Sequence, residues 1–221
     1  MVTSRSEERP LRRDAERNRR RILDAAEQLF AERGLAVTLN DIAHHAGVGV
    51  GTVYRRFPDR TQLIESLFER KVQEIVELLE RASAEEDPWR GLASFLERLM
   101  EHQSRNIALR ELMIAGNEGC ERISRIRSRL TPLAIRLVQR AKERGQLRAD
   151  AEVSDLAIIQ LMLGAVIDGA HRTAPGLWRR YLAILLQGLR ADPQPPDPLA
   201  QPALALEQVD EVCAAAQLVR R

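Results

Sequence analysis

Apolar residues recur at intervals of three and four along almost the whole chain, and no stretch alternates with a period of two. Such a rhythm stacks apolar groups on one side of a helix and excludes half-buried strands. Ile22, Ala25, Ala26, Leu29 and Phe30 form a first stripe, with Gly34 as its stop. Leu39, Ile42, Ala43 and Ala46 form a short second one, and Ile64, Leu67, Phe68, Val72, Ile75 and Leu79 a long one. Pro88 suits the first position of the helix that carries Leu92, Phe95, Leu96, Leu99 and Met100. A shorter helix is expected over 107–115. Ile123, Ile126, Leu130, Leu133, Leu137, Val138 and Ala141 mark another, interrupted or kinked at Pro132 and stopped by Gly145. Two more follow, near 152–172 and 175–190. The expected fold is all-α.

The 221 residues suit one or two domains, and 44% apolar with 30% charged residues is ordinary for a globular protein. A net charge of +2 is too small to name a nucleic-acid partner, so the distribution of charge must decide. Of 34 basic residues only Lys71 and Lys142 are lysines. From Arg9 to Arg21 seven arginines stand against Asp14 and Glu16, a pattern equally suited to a solvated tail and to a nucleic-acid arm. Cys120 and Cys213 lie far apart without metal-ligand spacing, as expected of buried, reduced thiols. The N-terminus is charged and lacks the apolar core of a signal peptide. The longest uninterrupted apolar stretch, Leu161 to Ile167, is far short of the roughly 20 residues of a membrane span. A cytoplasmic protein is expected.

One segment, GVGVGTVYRRFPDR at 47–60, has glycines at alternate positions before a basic and aromatic run. A phosphate-cradling loop would need a preceding strand and G-x-G-x-x-G or G-x-x-x-x-G-K-[ST]. Here the order is G-x-G-x-G, no lysine follows, and a helix precedes. A turn between two helices fits better. Thr38 and Asp41 have the spacing of a capping box at the start of 39–46, and Asp59 and Gln62 repeat that spacing before the long helix. Gly47 can end the first helix in the left-handed conformation, Val48 can plug the core, and Gly49 can cap a second short helix over 50–56. Two short helices joined by a three-residue turn make a helix-turn-helix, whose second helix enters a DNA major groove.

The run RRRILDAAEQLFAERG followed by TLNDIAHHAGVGVGTVYRRFPDRTQLIESL resembles the TetR family of bacterial transcription regulators. Ile22, Ala25-Ala26, Phe30, Gly34, Thr38, Ile42-Ala43, Ala46-Gly47-Val48, Thr52, Tyr54, Phe57 and Leu63 carry the likeness, from about Arg19 to Leu67. The resemblance implies a homodimeric DNA-binding repressor or activator with a helical effector-binding domain. Two departures stand out: Gly49 replaces the usual Ser or Thr cap, and Arg60 replaces a Lys. Gly49 keeps the cap geometry without the side-chain contact, and Arg60 remains suited to a phosphate.

Within that motif Thr52, Tyr54, Arg55 and Arg56 are expected to meet DNA, with Val50 and Gly51 at the entering end of the recognition helix. Tyr54 offers a hydroxyl to phosphate, and Thr38 its hydroxyl or its helix's first amides. His45, Arg60 and Arg19 complete the expected contacts. Phe57, Val48 and Val53 are core. His44 and His45 are adjacent and cannot chelate one metal from one helix face.

Beyond the head the signals weaken. Asp168-x-x-His171 puts a carboxylate and an imidazole on one helix face, but a diiron bundle needs two such motifs and more carboxylates. A polar pair is the expectation, with no metal, cofactor or catalytic residue. Trp89, His102, Arg105, Met113, Asn117, Gln160, Asp168 and His171 are candidates for an effector pocket, as is Trp178. The runs LAIIQLMLGAVI at 156–167 and YLAILL at 181–186 are apolar nearly all round, which demands cover on every side. They are expected to form a two-fold, four-helix interface through Leu163, Gly164, Ile167, Trp178, Leu182, Leu185 and Leu189, with Gly169 also allowing close approach. Five prolines between Asp192 and Pro202 read as a linker, and helical spacing resumes from Ala205 to Val219. The expected division is a basic arm over 1–17, a head over 18–62, an effector and dimerisation domain over 63–191, and a linker with an extra helix over 192–221. The alternative from another class is a helical enzyme or metal-binding bundle with an accessory DNA-binding head.

Overall fold

The computed structural model describes residues 8–33, 36–105, 119–192 and 199–206, with 208, 209, 211, 212 and 215; for 8–13 and 119–127 it describes the backbone alone. Among these residues the order is α1 (Glu8–Arg33), α2 (Leu39–Ala46), α3 (Val50–Arg56), α4 (Arg60–Ala84), α5 (Pro88–Arg105), α6 (Gly119–Glu143), α7 (Val153–Ala170) and α8 (Leu177–Leu189). The all-α expectation holds. No strand occurs among the described residues beyond an isolated bridge between Leu147 and Arg190. The helix expected over 107–115, the stop at Gly34 and the residue Cys213 lie outside the described residues, as does the side chain of Cys120. α6 runs through Pro132 without interruption.

The chain divides into two compact units, one up to Lys71 and one from Val72 onward. In the first unit Ile22, Ala26, Leu29 and Phe30 of α1 meet Ile42 and Ala43 of α2, Val53 of α3, Phe57, and Leu63 and Leu67 of α4. Full burial of Phe30 or Phe57 contributes about 1.5–3 kcal/mol each. Arg70 on α4 forms ion pairs with Asp24 (2.6 Å) and Glu27 of α1, and Lys71 pairs with Glu27 at 2.6 Å. The head therefore takes in the first turns of α4, whereas the sequence reading draws its boundary at residue 62.

In the second unit Leu79, Leu92, Phe95, Leu96, Leu99, Leu137, Val138 and Leu163 lie at the centre. Asp87 organises one end of it. Its Oδ1 accepts from the amides of Trp89 (3.0 Å) and Arg90 (3.3 Å) at the start of α5, and from Gln146 Nε2 at 2.9 Å. The Arg90 amide, then the Gln146 and Trp89 donors, hold its carboxyl below the usual range. Arg140 of α6 donates to the carbonyls of Ser83, in the last turn of α4, and of Glu85 (3.0 Å) just beyond it, which leaves those acceptors satisfied. Lys142 pairs with Glu152 at 2.8 Å. After α8 the chain returns along 146–148, and Asp150, clamped by Arg148, accepts the amide of Leu199 at 3.2 Å. Val209 further along is fully buried.

The expected dimer face needs correction. Leu163, Gly164 and Ile167 of α7 and Trp178, Leu182 and Leu189 of α8 are buried within the chain's own bundle, and Leu185 packs half-buried against it. Leu156, Ile159, Leu163 and Ile167 repeat at three and four and supply the inward stripe of α7. Its outer stripe is Met162, Ala165 and Gly169, and that of α8 is Tyr181, Ile184 and Gly188. α7 is long and apolar enough, by length and composition, to cross a membrane; its inward stripe fits a bundle core equally.

Gly91 sets the close approach of α5 to the end of α4, because a Cβ there would lie 2.3 Å from the Ala82 carbonyl oxygen. Backbone cannot yield as a flexible side chain does. Gly91→Ala is expected to destabilise the second unit by about 1–3 kcal/mol. Urea unfolding followed by circular dichroism checks this, and an unchanged midpoint would contradict the packing.

Candidate nucleic-acid interface

The site is built from the α2–turn–α3 segment upward. At the start of α2 the Asp41 amide donates to Thr38 Oγ1 (3.2 Å), while Asp41 Oδ2 accepts from the Thr38 amide (2.9 Å) and hydroxyl (2.5 Å). This is the expected capping box. The Thr38 hydroxyl and then its amide hold the Asp41 carboxyl below its usual range. The lone hydroxyl proton of Thr38 is thus engaged within the chain, which leaves the first amides of α2 rather than that hydroxyl to meet an anion.

At the other end of α2, Gly47 stands at φ 62 and ψ 40, in the left-handed region. Its amide donates to His44 O at 3.1 Å and that of Val48 to Ala43 O at 3.1 Å, a Schellman closure. Arg21 of α1 reaches over, with Nη2 donating to the carbonyls of Ala46 (2.8 Å) and Gly47 (3.3 Å). Nothing in the local sequence marked Arg21 for this capping; only the tertiary contact does. Gly49 follows as the N-cap of α3 without a side-chain bond, and its carbonyl accepts the Thr52 amide at 2.8 Å. Val53 and Phe57 are buried, which pins α3 by one face.

The other face of α3 is open. Val50 is 46% exposed and Tyr54 45%, and Gly51, Arg55 and Arg56 are exposed. Thr52 is half-buried and accepts from Arg55 Nη2 at 3.3 Å. These residues share one surface. It presents a phenol hydroxyl, two guanidinium groups and an apolar entering end, the means to meet phosphates and base edges together. Three other expected contacts have partners inside the head. His45 Nε2 is 2.9 Å from Gln28 Oε1, the Arg19 guanidinium lies 5.9 Å over the Phe57 ring, and that of Arg60 is half-buried 5.6 Å over Phe30. Arg60 therefore also packs within the head.

Among the described residues the effector candidates do not gather into one site. Trp89 lies at the first turn of α5, under the Arg190 guanidinium at 5.2 Å, while His102 and Arg105 lie at its far end. Thirteen residues of helix separate Trp89 from His102, about 20 Å. His102 pairs with Glu74 at 2.9 Å, and Arg105 with Glu101 at 2.8 Å. Gln160 is half-buried on α7. At the end of α7 the His171 ring meets the Asp168 backbone carbonyl at 2.8 Å, in place of the carboxylate–imidazole pair expected. Met113 and Asn117 lie outside the described residues. Among the described residues no three His, Cys, Asp or Glu side chains come together as metal ligands. Trp178, a further effector candidate, is a polar group in the bundle core: its buried indole N–H has no acceptor among the described residues, and Arg179 lies 4.4 Å over its ring.

Comparison with known proteins agrees with this geometry. Residues 22–67 match the family model for bacterial regulatory proteins of the tetR family, and residues 87–191 the model for the C-terminal domain of SbtR-like transcriptional regulators. An HTH-type transcriptional regulator of Staphylococcus aureus is 30% identical over 109 residues, 48% of this chain. The match spans 59% of that relative's length. Among solved structures, a TetR transcription regulatory protein of Mycobacterium vanbaalenii aligns with a TM-score of 0.66 and 28% identity, over 82% of this chain and 100% of the other. SmeT, the repressor of the Stenotrophomonas maltophilia multidrug efflux pump SmeDEF, aligns at 0.61 and 27% identity, over 82% and 96%.

The turn supplies a direct test. A β-branched residue resists the φ of 62 at position 47, and its Cβ would stand 3.1 Å from the Arg21 guanidinium. Gly47→Val is expected to abolish duplex binding and destabilise the head by at least about 1–2 kcal/mol. Gly47→Asn, which tolerates this conformation, should retain binding. Fluorescence anisotropy on labelled duplex checks both, and full binding by the valine variant would refute the turn's role.

Proposed function

The chain belongs to the TetR family of bacterial transcription regulators, and on that premise we propose that it is a cytoplasmic repressor that binds a pseudo-palindromic operator as a homodimer and is released by a small molecule. The observation that carries this reading is the open face of α3, displayed by a turn closed at both ends by the chain's own hydrogen bonds. Arg55 and Arg56 supply positive charge at its end, with Tyr54 and Val50 alongside. The residues up to 17 form a basic arm, the head follows, and the bundle to residue 191 serves effector binding and dimerisation.

One head reads one half-site, so a palindrome calls for two. The outer stripes of α7 and α8 fit a second copy. Met162 is 45% exposed, Tyr181 44% and Ile184 51%, and a Cβ added at Gly169 or Gly188 would meet nothing within 4 Å. Bare glycines beside large apolar groups favour close approach of helices. Two heads so joined would reach successive major grooves, about 34–36 Å apart. An effector bound in the bundle releases DNA if it favours a different head spacing, and linkage makes that preference equal to the loss of DNA affinity. α4 is one continuous helix with residues in both cores, which supports it as the carrier. SmeT has been solved in complex with triclosan, and the Trp178 indole offers a hydrogen-bond donor to such an oxygen-bearing apolar molecule here.

Two measurements test this reading. If Arg55 or Arg56 meets phosphate, replacement by Ala is expected to weaken binding to every duplex and to lower the salt slope by about 0.9 for each phosphate left unneutralised. If it reads guanine, binding should fall by about 1–3 kcal/mol at the operator alone. Salt titrations on operator and mixed-sequence DNA separate these outcomes, and unchanged affinity on both would remove the pair from the interface. For the dimer, Ile184→Glu places an uncompensated charge on the outer stripe of α8. Light scattering should then show a helical monomer with weakened operator binding; a dimeric variant with normal binding would overturn the face.

A further inference from the structure

α1 is longer than the head requires. The family match begins at residue 22, yet the helix starts at Glu8. Its head-packing stripe also begins at Ile22. Among the described side chains before it none belongs to the core, and the sequence there carries charge: between Arg9 and Arg21 seven arginines face only Asp14 and Glu16.

The spacing of these arginines is as informative as their number. Arg9, Arg13, Arg17 and Arg21 follow at intervals of four, so in a helix they form one stripe. Like charges at that interval repel and weaken a helix. The Arg17–Asp14 ion pair, exposed on both sides at 3.3 Å, offsets little of this. A stripe of like charge in a helical extension is relieved by a polyanion.

The structure also fixes where the stripe begins. Arg21, its last member, donates to the Ala46 and Gly47 carbonyls at the turn between α2 and α3. Arg19 stacks on Phe57, the residue that closes α3. At 19–21, therefore, α1 passes both ends of the recognition helix, and everything before it departs from that edge of the head. From Arg19 back to Glu8 the helix covers about 16 Å, a reach that spans several phosphates of a duplex.

We propose that residues 8–20 of α1 are a DNA-backbone arm, whose arginine stripe binds phosphates flanking the groove entered by α3. The proposal rests on the DNA-binding reading of the head but adds a second, sequence-independent contact region. Its chemistry is charge neutralisation, so lysine should serve as well as arginine.

The test uses the full chain with Arg9 and Arg13, which lie before the family match. Binding is measured between about 50 and 200 mM salt, where phosphate contacts dominate the change in affinity. One duplex comes from the region upstream of the chain's own gene and the other has mixed sequence. R9Q/R13Q is expected to bind both duplexes more weakly by a similar factor, with a slope shallower by about 0.9 for each phosphate left unneutralised. R9K/R13K is expected to keep the wild-type slope. Helical content by circular dichroism controls for loss of the helix: a glutamine variant that stays helical and retains both slope and affinity overturns the arm. Weakening on the upstream duplex alone overturns the backbone assignment. A wild-type chain that binds neither duplex overturns the DNA-binding reading itself, a result distinct from failure of the arm.

Discussion

The reversal of the chain at Gly47 is the constraint on which the head depends. A left-handed residue there lets the amides of Gly47 and Val48 close α2 onto its own carbonyls, so that α3 starts only two residues later. The carbonyls of Ala46 and Gly47 in turn receive a donor from Arg21, a residue of α1. One guanidinium thus ties the first helix to the turn, while Val53 and Phe57 hold α3 by its inner face. The outer face is free for recognition because every inner requirement has been met elsewhere. The absent side-chain cap at Gly49 fits the same logic, since backbone alone starts α3.

The second unit is organised differently. Its closing bonds come from side chains reaching backbone at helix ends: Asp87 at the start of α5, Arg140 past the end of α4, and Gln146 bonded to both Asp87 and the Trp89 amide. Such partners are far apart in sequence, and their pairing is not evident from spacing. Asp150 has its carboxyl drawn down to about 2, first by Arg148 and then by the Leu199 amide. A carboxyl so lowered keeps its charge, and with it this anchor of the returning segment, until pH falls toward that value.

What could be read from the sequence follows from this difference. Thr38, Asp41 and Gly47 act within a few residues of one another, so the spacing of their side chains already states their bonds. The faces of α7 and α8 could not be read in that way. An almost wholly apolar helix has little periodic contrast, and the inward set Leu156, Ile159, Leu163 and Ile167 emerges only once α5 and α8 are placed against it. The interface reading therefore took core residues for surface ones. The described effector candidates are spread for a related reason: Trp89 and His102 look alike as polar aromatic groups, but α5 holds them at opposite ends. Arg60 stands where the family resemblance has a Lys, which is why the sequence offers it as a phosphate contact; its stacking on Phe30 is a tertiary fact.

The ion pairs of the two lysines carry a last consequence. Lys71 is bound to Glu27 and Lys142 to Glu152, and every other cation of the sequence besides histidine is arginine. Acetyl transfer to lysine, a common way to erase charge from a DNA-binding surface, has no substrate on the exposed face of α3 or in the arginine stripe before it. Guanidinium groups also hold their proton at any pH a cell reaches. The arginine share of the head's positive charge is consequently fixed.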